Sequence, residues 1–155
     1  MKIINQFLKE VREFGKKDSV KAIVLCPCEH ILLLRRQNDQ GGAGNWDLPG
    51  GCIEEGEKET DALTREVFEE TNLKVSNIKK LKDVKFVIPE KGINSVMHIY
   101  KCNTDNTNVK LKPADWAGAD GKAEHNEYKW ITSKDELKNL PMLDSLKSIV
   151  MSNLK

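Results

Sequence analysis

The spacing of apolar residues changes several times along the chain, and each change marks an element. Ile4, Phe7, Leu8 and Val11 recur at helical spacing, which predicts a short amphipathic helix within residues 1–17 that packs on the domain. A helix lying on a membrane surface is the competing reading. The apolar runs Val20 to Leu25 and Ile31 to Leu34 flank Pro27, Cys28, Glu29 and His30, the pattern of a β-hairpin. Gln37 to Asn45 is too polar for a core element and reads as a mobile loop. A helix is expected over about Thr60 to Asn72. Strands follow near Lys82 to Ile88 and Ser95 to Cys102, the second alternating Val96, His98, Tyr100 and Cys102 on one face. In the apolar-poor stretch Asn103 to Asn126, Val109 to Leu111 suits a short strand, and the remainder reads as a functional loop or a disordered insertion. Tyr128 to Ile131 predicts a strand, Ser133 to Leu137 a helical turn capped by Ser133, and Met142 to Leu154 a closing helix.

With 155 residues and no internal repeat or linker, the expectation is a single domain over 1–155. The formal net charge of +1 carries no electrostatic signature of a protein that coats DNA, RNA or an anionic membrane, so an anionic ligand has to be met locally. Lys2, Lys9, Glu10, Arg12 and Glu13 break up the N-terminal apolar residues, which argues against a leader or membrane span and for a cytoplasmic protein. Cys26, Cys28, Cys52 and Cys102 form no CxxC pair and have no partner at zinc-finger spacing, so they read as reduced structural thiols. His30, His98 and His125 read as turn, strand and loop residues without catalytic roles.

The chemistry concentrates in Trp46-Asp47-Leu48-Pro49-Gly50-Gly51, followed by Glu57 and then by Arg65-Glu66-Val67-Phe68-Glu69-Glu70. On a helix advancing about 100° per residue, Glu66, Glu69 and Glu70 share one face, while Leu63, Val67, Phe68 and Thr71 are expected to pack on a sheet. Like charges at this spacing repel by several tenths of a kcal/mol per pair, so something cationic must compensate. Oxygen ligands suit a hard dication, Mg²⁺ first and Mn²⁺ as a substitute. Gly50-Gly51 lets the backbone approach, so that a carbonyl of this turn completes the shell.

A glutamate-bearing helix face is ordinarily just solvated surface, and context decides otherwise here. The run resembles the Nudix box, G-x5-E-x7-R-E-U-x-E-E-x-G-U with U aliphatic, at Gly51, Glu57, Arg65, Glu66, Val67, Glu69, Glu70 and Leu73, after the usual Leu-Pro-Gly-Gly lead-in. Asn72 replaces the last glycine and is the residue that next best tolerates a left-handed helix end. The order of the surrounding elements is also similar to that of Nudix hydrolases. The resemblance implies an α/β fold, the Nudix α/β/α sandwich with a central mixed β-sheet, and Mg²⁺-dependent hydrolysis of a diphosphate linkage in a nucleoside diphosphate derivative.

By carry-over onto matching positions, the resemblance implies that Glu66, Glu69, Glu70 and the Gly50 carbonyl ligate the metal and that Arg65 pairs with Glu57 to orient the acids. The general base is a box glutamate or a later acid, with Glu127 the candidate and Glu124 behind it; a solvated glutamate is the alternative. Arg36, and next Arg35, are candidates to grip a substrate phosphate, a surface salt bridge being the other reading. Trp46 is expected to pack beneath the glycine turn, and Trp116 to stack on a nucleobase. Pro89 resembles a proline of the ADP-ribose branch. Met142 and Leu143 after Pro141 lack the asparagine of the oxidised-guanine branch. A small nucleotide derivative is therefore the expected partner, with an RNA 5′-end pyrophosphohydrolase or a catalytically silent binding module as alternatives, and a homodimer is compatible with the family.

Overall fold

β1 (Ser19–Leu25) and β2 (Ile31–Arg36) leave their shared turn as a hairpin and then part. Their register pair is Leu25↔Ile31 at the turn; farther along, β1 takes β4 (Gly50–Cys52) through Ser19↔Cys52 to Lys21↔Gly50, and β2 takes β3 (Trp46–Asp47). The glycine-rich segment thus sits in the fork of a split sheet. The computed structural model describes residues 18–37, 44–88, 93–112 and 125–155, so the expected N-terminal helix lies outside the described residues.

β1 also runs parallel to β6 (Ile93–Asn103), which pairs antiparallel with β5 (Ser76–Ile88), while β7 (His125–Ile131) covers the free side of β2. The sheet is mixed, as expected. β5 begins well before Lys82 because two register irregularities let its Lys-rich first half keep pairing with β6. Exposed lysines on such an edge oppose pairing with another chain.

Alternation along β1 and β2 divides the core. Ile23, Leu25, Ile31 and Leu33 face α3 (Asp144–Asn153), which contributes Leu146, Ile149 and Val150. Val20, Ala22, Val24, Leu32 and Leu34 face α1 (Glu59–Thr71), which contributes Ala62, Leu63 and Val67. Each fully buried aliphatic side chain contributes about 1.5–3 kcal/mol. Helices on both faces give the expected α/β/α sandwich.

Asn72 ends α1 in the left-handed conformation (φ 63°) with its N–H on the Phe68 carbonyl, which is what its substitution for glycine requires. The Ser133 hydroxyl accepts from the Glu136 N–H and caps α2 (Lys134–Lys138), also as expected. Val109 to Leu111 does not form a strand; it runs as coil, with the Lys110 N–H on the Thr71 carbonyl and Val109 and Leu111 packed on the α1-side core. Among the described residues no helix is long and apolar enough to cross a membrane.

Candidate active site

Gly50 lies so tightly in the fork (φ 152°) that a β-carbon would overlap the Val20 carbonyl oxygen, and its N–H donates to Glu70 Oε1 over 2.7 Å. A β-carbon on Gly51 would lie 2.6 Å from the Glu66 carboxyl. The two glycines therefore form a cradle into which two carboxylates of α1 fit.

The acids do not share one outward face. Glu70 is 4% exposed because it stands seven residues after Leu63, only about 20° from it around the helix. Glu66 is half-buried against Gly51 and Glu69 is exposed. Phe68, expected to pack inward, is 45% exposed, for it lies about 140° from Leu63.

Arg65 provides much of the charge compensation. Its Nε and Nη2 donate to Glu57 at 2.8 and 2.9 Å, Nη2 also to the Cys52 carbonyl, and Nη1 to Glu66 at 2.9 Å and Glu69 at 3.3 Å. These hydrogen bonds drive the Glu57 carboxyl down to about 2 and the guanidinium pKa up. Lys112 Nζ stands 3.9 Å from Glu69, and His125 Nδ1 lies 3.2 Å from Glu70 Oε2. Arg65 and Lys112 thus supply cationic charge among the acids, as the like-charge spacing requires. The carboxylate oxygens do not close on a single point; among the described residues the group of three or more ligand-type atoms that all lie within 4.8 Å of one another is that of Cys26, Cys28 and His30. Even so, three carboxylates beside a glycine backbone are an all-oxygen donor set that fits a hard dication.

A NUDIX domain model matches residues 15–152. The chain belongs to the NUDIX family. It is 31% identical over 139 residues to the candidate 8-oxo-dGTP diphosphatase YtkD of Bacillus subtilis, covering 89% of this chain and 82% of that one. It is 30% identical over 129 residues to the NAD-capped RNA hydrolase NudC of Actinobacillus succinogenes, covering 76% of this chain. The chain spans less than half the length of the NudC proteins it matches, 34% and 44%. Among solved structures, a MutT protein of Methanosarcina mazei Go1 superposes with a TM-score of 0.67 at 25% identity, covering 88% of this chain and 91% of that one.

Two features of this NUDIX fold escaped the sequence reading. The first is a buried polar cluster beside Glu70. Asp47, 8% exposed, lies 2.9 Å from Lys21 Nζ and 3.2 Å from Arg36 Nη1. Burial pushes the Asp47 carboxyl up, but the charges of Lys21 and Arg36 outweigh it and hold the carboxyl below its usual range. Arg36 is 6% exposed, and its Nη1 donates to the buried Asp47 carboxylate, so the salt bridge it makes here is buried and not on the surface. His125 is no loop residue but the first of β7. A bulge opposite Arg35/Arg36 pairs it with Arg36 and turns it to the α1 face, toward Glu70.

The same register puts Glu127 beside Arg35, on the face carrying Trp46 and away from Glu70. Arg35 Nη1 reaches Glu127 at 3.4 Å, both side chains being substantially exposed. Trp46 takes the core role expected of it, packed in the α3-side cluster that also holds Leu48 and Met142, whereas the glycine turn meets Val20 and Glu66. Trp116 and Glu124 lie outside the described residues, as does Pro89.

The second missed feature surrounds His98. Its Nδ1 lies 2.7 Å from Asp83 and 3.3 Å from Glu59, its Nε2 3.3 Å from Asp18, and Lys80 contacts Glu59 and Asp83. The Tyr100 hydroxyl donates to Glu59 at 2.6 Å; burial, with that carboxylate, pushes the phenol up to about 12. The cluster ties the first turn of α1 to β5 and β6. Alternation of His98 and Tyr100 was its legible signal, but the partners come from three other segments.

Proposed function

We propose that the chain hydrolyses a diphosphate linkage in a nucleoside diphosphate derivative, a nucleoside triphosphate or a nucleotide sugar such as ADP-ribose, using Mg²⁺ or Mn²⁺ held by Glu66, Glu69, Glu70 and the Gly50 carbonyl. The observation that carries this reading is the fit of Glu66 and Glu70 into the Gly50-Gly51 cradle, beside the exposed Glu69. When bound, the dication supplies positive charge against the phosphate oxygens and makes water more acidic.

The remaining work falls to the chain. Arg65, locked by Glu57, holds Glu66 and Glu69 in place. The water oxygen bonds to phosphorus, the bridging P–O bond breaks, and the proton passes to a carboxylate. We assign that role to the acid cluster rather than to Glu127, which faces Arg35; Glu127 positions Arg35, and Arg35 meets the substrate phosphate. His125 and the Lys21–Asp47–Arg36 group set the electrostatics behind Glu70.

One observation favours the RNA 5′-end reading: β5 presents Lys79, Lys80, Lys82 and Lys85 along an exposed edge. Lys80 is committed to Glu59 and Asp83, and such an edge also serves solubility, so the small-molecule reading is preferred. The deciding experiment incubates the protein and Mg²⁺ with nucleoside triphosphates, dinucleoside polyphosphates, ADP-ribose, and triphosphorylated or NAD-capped RNA. Turnover of a small nucleotide is expected. Turnover confined to RNA and steeply reduced by salt selects the RNA reading; turnover of none, with Mg²⁺ bound, selects a silent binding module.

A further inference from the structure

At the end of the β1–β2 hairpin away from the acids, Cys26, Cys28 and His30 bring two thiols and an imidazole together. Cys28 Sγ lies 2.7 Å from Cys26 Sγ and 3.6 Å from His30 Nδ1, and all three ligand atoms fall within 4.8 Å of one another. The backbone is wound to make this contact. Glu29 takes a left-handed conformation (φ 66°), its N–H donates to the Cys26 carbonyl, and the Cys26 N–H donates to the His30 carbonyl. The His30 N–H points at Cys26 Sγ over 3.3 Å, the kind of outer contact that steadies a thiolate on a metal. Lys155 Nζ holds the Glu29 carboxylate at 2.6 and 2.7 Å and so pins the turn from outside.

We propose that Cys26, Cys28 and His30 form a binding site for a borderline-soft dication of the Zn²⁺ class, independent of the phosphohydrolase chemistry. Two thiolates and an imidazole select such an ion over Mg²⁺, and three protein donors leave one position for water. On a tetrahedral zinc two sulfurs stand about 3.8 Å apart. Cys28, exposed at the turn, supplies the roughly 1 Å of widening. Cys26 is five residues along β1 from Lys21, the Gly50 partner, which puts the site about 16 Å from the acid cradle. Its effect is to close the turn that aligns β1 with β2.

The test is titration of the full chain, purified reduced and without oxygen, with Co²⁺ and then Zn²⁺. One equivalent of Co²⁺ should produce a thiolate-to-cobalt charge-transfer band and tetrahedral visible bands, which Zn²⁺ abolishes. Cys28→Ser should remove the charge-transfer signal or weaken Co²⁺ affinity at least tenfold, and His30→Ala should weaken it at least tenfold. Glu69→Gln should leave it unchanged, which separates this ion from one in the acid cradle. Circular dichroism checks that the variants fold, and Zn²⁺ should raise the Tm of the wild type but not of Cys28→Ser. The proposal is overturned by absence of the charge-transfer band, by bands that persist in both variants, or by a mass two hydrogens low that reveals a Cys26–Cys28 disulfide.

Discussion

The Gly51 backbone stands so close to Glu66 that a single methyl group there would lie 2.6 Å from the carboxyl carbon. The obstacle is the mobile end of a side chain, so Gly51→Ala should fold and displace Glu66. Misplacing a positioned group by an ångström costs about 10–100-fold in rate, and kcat/KM should fall by that factor while Tm changes little. Gly50→Ala is the contrast, because its β-carbon meets the backbone of Val20 and Lys21 at a φ of 152°. That variant should lose about 3 kcal/mol or more of stability in urea unfolding. Equal stability of the two variants would show that the fork is looser than described.

Arg65 holds the Glu57 carboxyl at about 2, below its ordinary value of 4.5. A carboxylate with a depressed folded-state pKa stabilises the protein fully above the unfolded value and loses that contribution as pH falls through the folded one. Unfolding free energy should therefore decline between pH 4.5 and about 2 more steeply in the wild type than in Glu57→Gln, the two converging at the acid end. Parallel curves would mean that the pair contributes nothing.

Glu69 and Glu70 are proposed to share a role but differ in surroundings. Either Glu→Gln variant should lower kcat by at least about a hundredfold. Stability should separate them. Glu69 is exposed, so its variant should unfold within about 0.5 kcal/mol of wild type. Glu70 is buried, accepts from Gly50 and faces His125, so its variant should lose about 1–3 kcal/mol. Near-normal turnover in both would contradict their assignment as metal ligands.

Local rules made much of this legible. The hairpin, the αL residue Asn72 and the Ser133 cap each rest on a few neighbouring residues, and the Arg65–Glu57 pair followed from the motif. Glu70 was misplaced because its i+4 relation to Glu66 was weighed without its i+7 relation to Leu63, which fixes its burial. β3 and β4, of two and three residues, are too short to show a period. The pairing of His125 with Arg36 depends on a bulge, and the approach of Cys26, Cys28 and His30 at the hairpin end depends on the positive φ of Glu29; tertiary context sets both.

Arg35 and Arg36 are adjacent yet face opposite sides of β2, and this predicts different phenotypes. Arg35→Ala removes an exposed guanidinium and should raise KM about tenfold with kcat nearly preserved and stability unchanged. Arg36→Ala leaves the buried Asp47 with Lys21 as its remaining cation of the pair; breaking such a group should cost about 2–4 kcal/mol. Glu127→Gln should lower kcat less than about tenfold, because its carboxylate faces Arg35 rather than Glu70. Steady-state kinetics with urea unfolding on the three variants distinguishes these outcomes. A hundredfold loss of kcat in Glu127→Gln would return the general-base role to it, and an unchanged KM in Arg35→Ala would remove Arg35 from the substrate site.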